Sequence, residues 1–128
     1  MIMMTMAAML AAQAGLPEPR GEIAWELVGG EPGHQVHIDP ASPLWRRDIV
    51  TVRIRADLSE PQGDEAWAII IVEFDCRARS ATNLWVQTHD QAGRTLMTWE
   101  VPPADRVAQP VGAGVPIGLA TLERGCRR

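Results

Sequence analysis

The sequence predicts an α+β domain that is mainly β: about six strands in an antiparallel meander, one short C-terminal helix packed on the sheet, and a disulfide stapling the two. Three observations carry this prediction. Apolar and polar residues alternate with a period of two over successive short runs. Short turn-forming stretches join those runs, as an antiparallel meander requires. Only two cysteines are present, one at the end of the most apolar run and one near the C-terminus.

The first run, "EIAWELV" (22–28), sets Ile23, Trp25 and Leu27 on one face and Glu22 and Glu26 on the other. After the turn "GGEPG", "HQVHID" (34–39) directs Val36 and Ile38 inward. In "DIVTVRIRA" (48–56), Val50, Val52, Ile54 and Ala56 face in, while Thr51, Arg53 and Arg55 face out. A polar loop, "DLSEPQGDE", leads to "AWAIIIVEFDC" (66–76). There the even positions are apolar throughout, and the odd positions pass from Trp67, Ile69 and Ile71 to Glu73 and Asp75. This strand is covered on both faces at its start and half-solvated at its end, with Cys76 pointing into the core. Two further strands, near 80–88 and 94–101, flank the turn signal "DQAG" (90–93). A helix is predicted over about 115–124, with Pro116 in its first turn and Ile117, Leu119, Ala120 and Leu122 on its apolar side. It would deliver Cys126 to Cys76.

The chain has 128 residues, one domain by size, with 46% hydrophobic and 22% charged residues. Net charge is −4, and the basic residues are dispersed along the sequence, which argues against a nucleic-acid partner. All twelve basic residues are arginine. Residues 1–14, "MIMMTMAAMLAAQA", are uncharged and almost all apolar, too short a run for the ~20 residues of a membrane span. They fit a signal peptide cleaved after Ala12-Gln13-Ala14, although a positive n-region is missing. The mature domain would be 15–128, without a transmembrane span, in the periplasm or at the cell surface. "GLPEPRGE" then reads as a polar linker.

In an oxidising compartment two cysteines in a small domain most often pair, which predicts Cys76–Cys126. A nucleophilic cysteine needs a placed base, and a metal site needs three or four ligands at close spacing; neither pattern is present in the sequence. His34-x-x-His37 resembles a ligand pair, but residues three apart on a strand point to opposite faces. Glu73, Asp75, Arg77 and Arg79 read as one face of a strand, serving as an acid–base pair, as a polar binding surface, or as a solvated face with ion pairs. "PLWRR" (43–47) lies in a predicted loop. Trp45 beside Arg46 and Arg47 has the composition of an interface hot spot, against the alternative that Trp45 tucks under the loop. No phosphate loop, nucleophile elbow or HExxH motif occurs, and no cofactor is indicated.

Several elements together carry a resemblance. They are Trp25, "HID" (37–39), "VTVRIR" (50–55), "VEFDCRAR" (72–79), "DQAGR" (90–94), and a Pro-rich stretch leading to Leu122-x-x-x-Cys126. With these the chain resembles the surface-adhesin protein E-like family of small exported bacterial proteins. It departs in its uncharged N-terminus, in His37 where the family often has an aromatic, and in lacking a lipidation cysteine. The resemblance implies an antiparallel sheet flanked by a helix, bridged cysteines, and a non-catalytic binding or adhesion module whose partner is a protein or other extracellular ligand. The alternative reading is a periplasmic small-ligand or haem carrier using His34, His37 or His89. An exported hydrolase has the least support.

Overall fold

The computed structural model describes residues 15–17, 19, 21–58, 63–112 and 118–128. Eight strand segments form one antiparallel sheet: β1 (Glu26–Gly29), β2 (Val36–Ile38), β3 (Leu44–Arg46), β4 (Ile49–Asp57), β5 (Trp67–Asp75), β6 (Ser80–His89), β7 (Thr95–Glu100) and β8 (Gln109–Pro110). One helix follows, α1 (Leu119–Gly125). The spatial order is β1-β2-β4-β5-β6-β7, with β3 on β4 and β8 on β6. β2 and β3 share one edge of β4, and β7 and β8 share one edge of β6. The eight segments therefore fill six lanes, which reconciles them with the six predicted strands. β3 is the correction: "PLWRR" was expected to be a loop, yet Leu44–Arg46 pairs with Ile49–Thr51. Period-two patterning has no purchase on three residues.

The face under α1 is built as the alternation of β4 and β5 requires. Val50, Val52, Ile54, Val72 and Phe74 are all fully buried, with Ile38 and Leu122 beside them. A seven-residue helix does not hold in water by itself; burial of Leu122 and the bond from Cys126 to Cys76 keep this one in place. Gly125 rests on the Phe74 ring, where an added Cβ would come within 2.9 Å of the ring carbons. The helix begins at Leu119, later than the expected 115; residues 115–117 of that expectation lie outside the described residues.

β1 departs from its sequence pattern. Leu27 is exposed, and Val28 packs on the core in its place. A bulge between Leu27 and Gly29 breaks the alternation. Glu26, opposite Ile38, faces the helix and is bound by the Arg124 guanidinium. That hydrogen bond holds Glu26 below the usual carboxylate range and raises Arg124.

The opposite face was expected to be open over β4, and it is not. Leu16 is 1% exposed and packs with Ile71, Leu84, Trp85 and Ile69. Just behind it the Pro17 carbonyl accepts from Arg53 Nη2 at 2.9 Å. The start of "GLPEPRGE" is thus a strap laid on the sheet rather than a linker, and it buries the predicted outward residue Arg53. Arg53 Nη1 donates to Asp39 Oδ2 at 2.9 Å, with both side chains 7% exposed. The second Asp39 oxygen accepts from the Ala41 N–H at 3.0 Å. Ser42 Oγ accepts from the Arg53 N–H and donates to the Asp39 carbonyl. Leu16→Ala is expected to cost about 2–3 kcal/mol, the lower half of the range for a buried leucine, because the strap can partly collapse. Denaturant melts against wild type measure it, and a loss under ~0.5 kcal/mol would mean that the strap is a passenger.

At the far end, the β6–β7 turn is organised by Asp90. Its carboxylate accepts the Arg94 backbone N–H and the Arg94 Nε–H, each at 2.8 Å. The backbone bond, then the side-chain bond, pulls its pKa below the ordinary carboxylate value. A depressed carboxylate stabilises the fold above its unfolded pKa of ~3.9, and that contribution is lost as pH falls through the lower folded value. Protection of the Gly93–Thr95 amides, their exchange measured relative to the intrinsic rate at each pH, is therefore expected to be high at neutral pH and to fall below about pH 4. Protection that is flat across that range would mean Asp90 does not hold the turn.

Candidate functional site: an arginine-rich pole

One end of the sheet gathers three chain segments. The first is the β3–β4 turn at Arg47 and Asp48. The second is the β5–β6 turn, residues 76–79. The third is the tail after α1. Asp75 shapes the second turn, its Oδ1 accepting the N–H groups of Arg77 at 3.1 Å and Ala78 at 3.0 Å. The Cys76 N–H donates to the Asp48 carbonyl at 2.9 Å, joining first to second. The Cys76–Cys126 disulfide joins second to third, with Cα atoms 5.7 Å apart. Arg128 joins third to first: its guanidinium lies 4.3 Å over the Trp45 ring, and its Nη2 donates to the Arg47 carbonyl at 2.6 Å.

The predicted trio Trp45, Arg46 and Arg47 falls within this pole, with unequal parts. Trp45 is half-buried, packed against the core on one side and covered by Arg128 on the other. Arg46 is exposed and pairs with Glu73 at 3.0 Å. Arg47 is exposed and has no carboxylate partner among the described residues. Of the expected cluster, Glu73 and Asp75 are on β5, but Arg77 and Arg79 belong to the turn, not to a strand face. Asp75 spends a carboxylate oxygen on its own turn. Arg79 lies 3.8 Å from Glu123.

The sequence reading missed the convergence. Arg46, Arg47, Arg77, Arg79, Arg127 and Arg128 meet at this end with Asp48, Glu73, Asp75 and Glu123. Six arginines against four carboxylates leave a surplus of two positive charges. The rest of the sequence holds six arginines and twelve carboxylates, a deficit of six, which restores the net −4. The basic residues are dispersed along the chain and concentrated in space. The only sequence signal is that the first "RR" precedes a predicted strand, while "RAR" and the final "RR" follow a predicted strand and the predicted helix. A shallow cleft of about 440 Å³ opens between Arg46, Arg47, Asp48, Ile49, Asp75 and Arg77.

Two of these arginines occupy a backbone region that L side chains disfavour. Arg47 has φ 58° and Arg79 φ 56°, positions where a turn is better served by glycine or asparagine. Arg47→Gly is expected to leave stability unchanged or raise it by up to ~1 kcal/mol, since relieved strain offsets the greater freedom of glycine in the unfolded chain. Thermal melts decide; a loss above ~1 kcal/mol would show that the side chain is structural.

The three histidines do not come together in this way. His34 is exposed in the turn before β2, and His37 is in β2 opposite Arg55. His89 is stacked on Trp67, centroids 4.0 Å apart and planes within 6°, with Arg55 3.9 Å from the Trp67 ring. Its ring nitrogens are engaged by the Gly93 carbonyl at 3.4 Å and Gln87 Oε1 at 3.0 Å. Among the described residues, no three of His, Cys, Asp and Glu are placed to hold a metal ion, and no helix is long and apolar enough to cross a membrane.

Comparison with family models, with curated proteins and with solved structures returned no match to this chain. The resemblance to the surface-adhesin protein E-like family rests on the sequence elements alone.

Proposed function

We propose that the protein is an exported, non-catalytic binding module of the surface-adhesin protein E-like type, and that the arginine-rich pole is the surface it binds with. The observation that carries this reading is the gathering of Arg46, Arg47 and Arg77 at one cleft, with Arg128 over Trp45 and bonded to the Arg47 carbonyl beside it, across segments tied by the Cys76–Cys126 bond. Charged groups meant for a partner must be displayed and held at fixed spacing, and a disulfide does the holding. The bond is compatible with an oxidising compartment, as export requires. The two left-handed arginines point the same way: a turn that keeps arginine against its backbone preference is a place where local rules give way to function.

The test uses purified, disulfide-bonded protein on immobilised extracellular macromolecules, comprising matrix proteins and both acidic and neutral glycans. Wild type is expected to bind at least one of them, and Arg47→Glu/Arg77→Glu to lose that binding while melting normally. Binding that survives the double reversal would place the contact surface elsewhere. Turnover of esterase, peptidase or glycosidase substrates would overturn the non-catalytic reading.

A further inference from the structure

We infer that the pole accepts an acidic polysaccharide, a chain whose carboxylates or sulfates are separated by uncharged sugar atoms; this rests on the binding role proposed above. The β3–β4 and β5–β6 turns are two strand intervals apart, about 10 Å at ~4.8 Å per interval. A linear chain crossing the strand ends meets Arg47 at one turn and Arg77 at the other, and the Cys126 bond keeps the tail arginines beside them. Guanidinium groups present paired N–H donors that match the two oxygens of a carboxylate or sulfate. Arg47 and Arg77 are exposed, line the cleft and have no ion-pair partner among the described residues, so their donors are available.

The interleaved acids decide which polyanion fits. Asp48 and Asp75 line the same cleft as Arg46, Arg47 and Arg77. A polymer charged at every step, such as duplex DNA with one negative charge per ~1.7 Å of axis, would press phosphates against those carboxylates. A chain with separated charges sets anions over the arginines and neutral hydroxyls over Asp48 and Asp75, which accept hydrogen bonds from them. A lipid surface is the weaker match, because the aromatic at the pole, Trp45, is packed on the core and capped by Arg128 and has no free face to insert.

Heparin is the probe. Wild-type protein is passed over immobilised heparin across a salt series, beside Arg47→Gln/Arg77→Gln and a far-end control, Gln91→Glu/Ala92→Glu, which lowers net charge equally. Wild type and control are expected to bind alike, with affinity falling as salt rises. The arginine variant is expected to bind about tenfold more weakly or worse, having lost two charge-assisted contacts. No retention at low salt overturns the inference, as does an equal loss in the control. Tighter binding to phosphatidylglycerol vesicles or to duplex DNA than to heparin also overturns it. Pole-dependent binding to a matrix protein without heparin affinity removes the polysaccharide and leaves the proposed function standing. Absence of pole-dependent binding to any ligand removes both.

Discussion

Asp39→Ala is expected to cost about 3–5 kcal/mol, the usual penalty for removing one partner of a buried ion pair. The cost comes from what remains. Arg53 is 6% exposed, and its guanidinium would keep only the Pro17 carbonyl. The Ala41 N–H would lose its acceptor as well. Replacing both charges, as in Asp39→Leu/Arg53→Met, should recover much of the loss, since apolar groups of similar volume leave no uncompensated charge. Urea melts of the three proteins give the answer. A single variant within ~1 kcal/mol of wild type would show that water reaches Arg53 through the half-open cavity beside Pro17 and Ser42.

The second large effect is expected at the staple. Replacing Cys76 and Cys126 by serine should cost about 2–5 kcal/mol. The bond spans 50 residues, for which the chain-entropy account gives about 4 kcal/mol. The helix should suffer first, because Leu122 is its one large fully buried side chain. Near-ultraviolet circular dichroism and chemical melts measure the change, and non-reducing thiol labelling of wild type should find no free thiol. A double variant as stable as wild type would mean that α1 holds through Leu122 and Gly125 alone. The same variant should also weaken pole binding at temperatures where the sheet is intact, since Arg127 and Arg128 lose their tether.

Much of this fold was legible because β4 and β5 alternate in residue type, and the inward-read Val50, Val52, Ile54, Val72 and Phe74 are fully buried. The readings that failed share a cause: a contact from far along the chain overrode a local pattern. Arg53 looked solvent-facing because nothing in "VTVRIR" announces that Leu16 and Pro17 fold back over it. Glu26 is exposed as its pattern says, but nothing near it announces the pairing with Arg124, 98 residues away. Leu27 was read inward because a bulge leaves no trace in residue type. The site follows the same rule. Trp45, Arg46 and Arg47 were visible as a composition, but Arg77, Arg127 and Arg128 join them only through the turn at Asp75 and the bond at Cys126. Charge counted along a chain cannot show which arginines a fold will bring together.

The staple also sets how this domain answers a pull. Tension applied between Leu16 and the tail leaves the backbone at Cys126, crosses the sulfurs, and re-enters at Cys76, the residue after β5. Residues 77–125 carry no load, so β6, β7, β8 and α1 are out of the force path. About 170 Å of chain length, ~3.4 Å for each residue bypassed, is held back however hard the ends are drawn. Only the run from the strap to the end of β5 can pay out. Arg77 and Arg79 on one side of the bond, and Arg127 on the other, stay within a few residues of the crosslink while the rest extends. Held at both ends, the domain would lose its sheet before those arginines parted.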